Sequence, residues 1–303
     1  MSSGTLIVGC GFTGRVLAQR LAFAGHAVYG TARTEEGVGV IRTRGAGAVV
    51  MTAPDFSSLA RIKGKVKALV TMMPPEMTDD GGYIDHTAAL LEHVRGWGLD
   101  AVVYVSSTSV YGDKGGDVVT EDTPYTPDSP RGRARLAIER QVLDSGLPAM
   151  VVRPAGIYGR LRSQLDRLAQ GRTRLVDGGR AYTNRIHVRD LAAIVEAACE
   201  RGTPGAIYLG TDARPATQVE VARHIVDTFG LPEPATLSLA EAKVRLNRNV
   251  LAMITGSKRL DGSKTLADLG VTLRFPNYEA GLAEIWRFDE PTIRAAAAAR
   301  LER

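Results

Sequence analysis

The 303 residues are 44% hydrophobic and 23% charged, which excludes disordered and fibrous classes and suffices for one large α/β domain with a smaller companion. Two cysteines, Cys10 and Cys199, stand far apart with no CxxC spacing, so neither a disulfide framework nor a zinc site is suggested, and a reducing compartment is expected. The formal charge of +5 is concentrated: between Gly159 and Arg189 stand eight arginines (Arg160, Arg162, Arg167, Arg172, Arg174, Arg180, Arg185, Arg189) against Asp166 and Asp177. Guanidinium groups gathered this way suit phosphate or carboxylate, the plain alternative being a solvated arginine-rich surface.

Leu6-Ile7-Val8 is predicted as a strand. It leads into the turn Gly9-Cys10-Gly11-Phe12-Thr13-Gly14 and then a helix carrying Val16, Leu17, Leu21 and Ala24 at helical spacing, stopped by Gly25. Further apolar strands are predicted at Ala27–Tyr29, Ala48–Val50, Ala68–Val70, Ala101–Val105, Ala149–Val152 and Ala206–Leu209, with helices including Thr87–Val94, Leu136–Leu143 and Leu191–Cys199. Alternating βα units with near-continuous apolar strands predict a Rossmann-type, doubly wound parallel sheet with a smaller, partly interleaved C-terminal lobe. The expected division is 1–158 plus 184–212 for the sheet domain, 159–183 plus 213–290 for the lobe, and 291–303 as a terminal helix with five consecutive alanines.

Gly9-x-Gly11-x-x-Gly14 sits where a dinucleotide-binding turn must be, after an apolar strand and opening a helix. Glycines let the backbone approach a pyrophosphate, and the helix N-terminus offers free N–H groups at its positive end. About 20 residues on, where an NAD site carries an acidic residue for the ribose, this chain has Thr31-Ala32-Arg33-Thr34. An arginine with two hydroxyls is the chemistry of a 2′-phosphate pocket, so NADP(H) is favoured over NAD(H); Glu35 and Glu36 keep NAD open.

With these segments in view, the chain resembles the extended and atypical short-chain dehydrogenase/reductases of the NAD-dependent epimerase/dehydratase family. Val103–Gly112 resembles that family's strand ending in a catalytic Ser/Thr and a Val-Tyr-Gly turn, and Thr120–Pro124 the acidic loop after it. Val152–Gly159 resembles the sixth-strand signature, and Arg185–Ala192 the return segment. The resemblance implies that Phe12, Thr13, Met73, Pro74, Ser106 and Pro154 join the cofactor residues. It implies that Ser107 orients the substrate oxygen and that Arg185 meets the substrate; Thr108 and Tyr125 are expected beside it, and the arginine excess adds Arg180 as a candidate for an anionic substrate.

The family's proton donor is a tyrosine four residues before a lysine on one helix face. Here Arg131 and Arg135 hold those positions. A guanidinium does not exchange protons near neutral pH, but it polarises a carbonyl or holds an anion. Tyr111 or Tyr125 is then the candidate replacement acid. Three outcomes stay open: an oxidoreductase or epimerase acting on a small anionic carbonyl or sugar-like substrate with Arg131 as electrophile, a substrate-supplied proton relay, or a cofactor-binding sensor or scaffold without turnover.

Five histidines, His26, His86, His93, His187 and His224, lack metal-ligand spacing, and His187 is expected to be packed and hydrogen-bonded. No metal, nucleic-acid or membrane partner is expected. The basic residues lack interleaved aromatics, no run approaches the roughly 18 apolar residues of a membrane span, and the N-terminus shows no secretion signal. The location expected is cytoplasmic, and a homodimer is the assembly usual in the family.

Overall fold

The computed structural model describes residues 4–301. Seven parallel strands form one sheet: β1 (Gly4–Val8), β2 (Val28–Ala32), β3 (Gly47–Val50), β4 (Val66–Thr71), β5 (Ala101–Val105), β6 (Ala149–Pro154) and β7 (Ile207–Gly210), in the order β3-β2-β1-β4-β5-β6-β7. Apolar runs with few polar interruptions are what a sheet covered on both faces demands. Along β5, Ala101, Val103 and Val105 enter one core with Ile7, Leu17 and Leu191. Val102 and Tyr104 enter the opposite core with Leu6, Leu69, Leu90 and Ile138. Each such aliphatic side chain contributes about 1.5–3 kcal/mol by leaving water, so the period-2 alternation fixes which helix lies on which face.

Helix α1 (Phe12–Phe23) and α2 (Glu35–Arg42) follow β1 and β2. Next come α3 (Thr87–His93) and α4 (Pro130–Leu143). The latter starts six residues before the expected Leu136, because Ser129 accepts from the Gly132 N–H and Pro130 pre-sets the first turn. The lobe contributes α5 (Gln164–Ala169), its N-terminus closed by a reciprocal Ser163–Asp166 capping box. Helix α6 (Val188–Arg201) packs its apolar stripe beneath the sheet, and α7 (Gln218–Phe229) belongs to the lobe core.

Two expected boundaries shift. Residues 259–275, assigned to the lobe, return to the sheet domain: Arg259–Leu260 pairs in parallel with Val118–Val119. Leu269 joins the sheet core, and the Asp190 carboxylate accepts the N–H groups of Arg274 and Phe275 at 2.9 Å each. The terminal helix runs from Tyr278 to Leu301 with Pro291 inside it, so 291 marks no boundary. Its Leu282, Ile285, Ile293 and Ala297 pack with Leu165 and Leu168 of α5 as part of the lobe core; residues 302 and 303 of the expected tail lie outside the described ones.

Candidate functional site

The strand order reverses between β1 and β4, which leaves a crevice at their carboxyl ends, the usual ligand position in a doubly wound sheet. The β1–α1 turn forms one wall. Gly9 holds φ +79° and donates to Thr31 Oγ1 at 3.1 Å, and a Cβ there would meet the Met72 carbonyl carbon at 3.2 Å. A Cβ on Gly14 would press on Cys10 and Ile7 at 3.2 Å. Gly11 differs: a Cβ there would come no closer to the protein than 4.0 Å. Its missing side chain therefore leaves room for something approaching from outside. Helix α1 has no side-chain cap and no acidic residue in its first turn, so its leading N–H groups at Phe12, Thr13 and Gly14 face the crevice side uncompensated.

At the end of β2, Thr31 is buried and bound to the glycine turn, whereas Arg33 is exposed with neither hydrogen bond nor ion pair among the described residues. Thr34 caps α2, accepting from Gly37 N–H at 3.1 Å. Glu35 and Glu36 occupy the first turn of α2, exposed, where the helix dipole favours them.

The opposite wall is built by β4, β5 and α4. Thr71 at the end of β4 and Ser106 just past β5 bury hydroxyl oxygens that have no partner. Unpaired buried hydroxyls are costly unless a ligand or water meets them. Half-buried Met73 and exposed Pro74 follow β4, and buried Pro154 ends β6. Ser107 uses its Oγ to accept from Ser109 N–H at 3.2 Å and to open the short helical turn Thr108–Tyr111. Arg131 stands exposed, with neither a hydrogen bond nor an ion pair among the described residues. Partial burial, and then the neighbouring Arg135, lower its pKa, against the opposing pull of Tyr104.

Arg135, one turn on, is buried, unlike Arg131. Its Nη1 donates to Tyr104 Oη at 2.8 Å and to the Val105 carbonyl at 3.1 Å, while its buried Nε has no partner. Tyr111 corrects an expectation. Its ring is fully buried and its hydroxyl accepts from Arg153 Nη1 at 2.8 Å; burial pushes the phenol up to about 12, despite Arg153, which removes it as a replacement acid. Tyr125 stays at the surface, its ring 4.2 Å from the Arg153 guanidinium carbon.

Arg185 is 5% exposed and donates to the carbonyl and hydroxyl of Thr183, two residues away, while its buried Nε has no partner. Arg180 is exposed and unpaired among the described residues. The arginine-rich segment is partly neutralised. Arg160 pairs with Asp289 at 2.6 Å and Arg189 with Glu284 at 3.0 Å, while Arg174 donates to carbonyls of Gly171 and Thr173. His187 is packed as expected, accepting from Arg189 N–H at 3.3 Å.

Residue patterns did not foretell the Arg153–Glu139 pair. Both side chains are essentially unexposed, with Arg153 Nη2 2.6 Å from Glu139 Oε2. Burial opposes the guanidinium charge, but Glu139 and Tyr111 outweigh it and hold the pKa above the ordinary value. The one signal was an arginine inside an otherwise apolar strand. Thr71 was missed likewise; its signal was a polar residue ending a buried strand.

The fold is the doubly wound type, with a glycine turn and an uncapped helix N-terminus at the reversal of strand order. More narrowly, the chain belongs to the NAD dependent epimerase/dehydratase family, whose model matches residues 5–210. Protein YeeZ of Escherichia coli K12 is 28% identical over 286 residues, covering 89% of this chain and 96% of that one. A 4-hydroxy-2-methyl-3-oxo-4-farnesyl-3,4-dihydroquinoline-1-oxide ketoreductase of Stigmatella aurantiaca is 25% identical, over 74% of this chain and 72% of the other. Among solved structures, a functionally unknown conserved protein from Silicibacter pomeroyi superposes with a TM-score of 0.83 at 33% identity, covering 94% of this chain and 99% of its own. UDP-glucuronic acid 4-epimerase from Bacillus cereus, in complex with NAD, superposes at 0.77 with 19% identity over 96% and 99%, a likeness of fold alone. Among the described residues, no helix is long and apolar enough to cross a membrane, and no group of three or more His, Cys, Asp or Glu could hold a metal ion.

Proposed function

We propose that this chain is an NAD(P)-dependent oxidoreductase or epimerase-like enzyme that prefers NADP(H) and acts on a small anionic carbonyl or sugar-like substrate. The observation that carries it is the uncapped α1 N-terminus behind Gly11, set at the reversal of strand order, with the free Arg33 at the end of β2. Gly11, Phe12, Thr13 and Gly14 would hold the pyrophosphate through backbone N–H groups. Thr31 braces the turn, and Arg33 would meet a 2′-phosphate, with Met73 and Pro74 beside the adenosine half. The nicotinamide supplies a hydride when bound.

Around that position the chain offers donors rather than an acid. Ser106 has an unused hydroxyl, Ser107 and Thr108 begin the turn at the strand end, and Arg131 brings a free positive charge. A guanidinium beside a carbonyl stabilises the oxyanion as charge develops, typically a matter of about 3 kcal/mol per donor in such sites. The proton would then come from water or from the substrate itself. An anionic substituent on the substrate would share Arg131, and the unpaired Arg180 supplies a second cation on the lobe.

Binding without turnover is the second reading, favoured by the loss of Tyr111 as an acid and by two guanidiniums at the family's proton-donor positions. NADPH deuterated at C4 and a carbonyl library separate the two. Label in a product, lost in Arg131→Ala while NADPH still binds, supports the enzyme. Tight NADPH binding with no label taken up supports the sensor.

A further inference from the structure

The loop that leaves the sheet domain after the Gly156–Tyr158 strand is held in an unusual shape. Gly159 and Arg162 exchange backbone hydrogen bonds at 3.1 and 3.0 Å, and Leu161 between them adopts φ +63°, a conformation side chains other than glycine rarely take, while 75% exposed. Exposure means that no apolar burial of Leu161 explains the shape. Arg160 locks the loop from the lobe side by donating from Nε and Nη2 to Asp289, which is 4% exposed on the terminal helix. Gly159 locks it from the other side, since a Cβ there would meet Val188 at 2.7 Å and the Phe12 ring at 3.2 Å.

The result is that Arg162 is delivered to the start of α1. Its guanidinium carbon lies 5.1 Å from the centroid of the Phe12 ring, and Phe12 is the first residue of that helix. Arg162 has no carboxylate partner among the described residues. Three residues beyond Phe12, on the same helix face, Arg15 carries an Nε with no acceptor. The helix start offers no negative charge of its own, lacking both a side-chain cap and an acidic first turn. Two guanidiniums on the side of a helix start that carries no negative charge, neither with a carboxylate partner among the described residues, favour an anion there.

We infer that Arg162 is a cofactor-binding residue: it reaches from the lobe to the pyrophosphate at the α1 N-terminus, so that the dinucleotide is held from both parts of the molecule. This rests on the dinucleotide reading above. The ligand chemistry is a diphosphate bridge, which NADPH and NADH share.

The test titrates NADPH and NADH against the full chain and against Arg162→Met and Arg162→Lys, with adenosine 2′-monophosphate, which lacks the diphosphate, as a competitor. Met keeps the length that covers Phe12 and removes the charge; Lys restores the charge. The expected result is a loss of about tenfold in affinity for the preferred dinucleotide with Met. Lys should recover most of it, and the competitor should bind the wild-type chain and the Met variant equally. A Met variant that binds the dinucleotide as tightly as wild type overturns the inference and leaves the dinucleotide reading standing. So does one that loses adenosine 2′-monophosphate in the same proportion, since that is structural damage. A wild-type chain that binds neither dinucleotide overturns both.

Discussion

Gly11 separates binding from folding at a single atom. A Cβ there meets nothing of the protein within 4 Å except the Gly9 carbonyl at that limit, so Gly11→Ala is expected to leave the melting temperature within about 2 °C of wild type. It should nevertheless weaken NADPH by 100-fold or more by filling the phosphate space, and calorimetric titration checks both. Arg33→Ala should lower the preference for NADPH over NADH by about tenfold with little change in NADH affinity; equal losses for both cofactors would remove Arg33 from the 2′-phosphate. His187 tests the interior. Burial, then Arg189 and Arg274, bring its pKa down to about 4 from an ordinary 6.5. As the pH falls below 6.5 the unfolded chain takes up a proton that the folded chain refuses down to about 4. Stability therefore drops across that window, by about 3 kcal/mol at its lower end. Urea unfolding of wild type and His187→Gln between pH 7 and 4 should show the steeper fall in wild type.

At the scale of elements, α4 is the piece whose placement matters most, since it carries Arg131 and Arg135. The buried Arg153–Glu139 pair ties it to β6, and the Arg153 bond to Tyr111 ties both to the turn after β5. Glu139→Gln leaves a buried guanidinium without its countercharge and should cost about 3–5 kcal/mol in urea unfolding. Replacing both partners with apolar residues of similar volume should cost much less. Much of this architecture was legible beforehand, because hydrophobic runs at strand spacing and a glycine turn before a helix are local patterns. The surroundings of Tyr111 and Arg135 were not. Each is a polar residue whose direction depends on a partner far along the chain or on which face of a helix lies inward: Tyr111 meets Arg153, and Arg135 meets Tyr104. A family motif places such residues in order but does not say whether a substituted side chain turns toward the ligand or the core. The free Arg131 was readable; the buried Arg135, one turn away, was not.

At the scale of the molecule, the chain passes between sheet domain and lobe several times. It leaves after β6, returns at Arg185–His187, leaves past β7, returns at 259–275, and leaves again into the terminal helix. The lobe core needs that last helix, whose Ile293 and Ala297 pack with α5 residues. Removing residues 291–303 should therefore lower the lobe's stability selectively. A two-step thermal melt and faster proteolysis of the segment 160–183 are expected, with the sheet domain still folded by circular dichroism; a single unshifted transition would contradict that packing.

The order of synthesis gives this last helix another consequence. The sheet's first six strands are complete once residue 154 has been made, whereas α5 meets α7 only later and its partners on the terminal helix more than a hundred residues later. A nascent chain can hold six formed sheet strands while the greasy side of α5 stays open to water, to chaperones and to other unfinished copies. Slowing translation after residue 169 would lengthen that exposed interval.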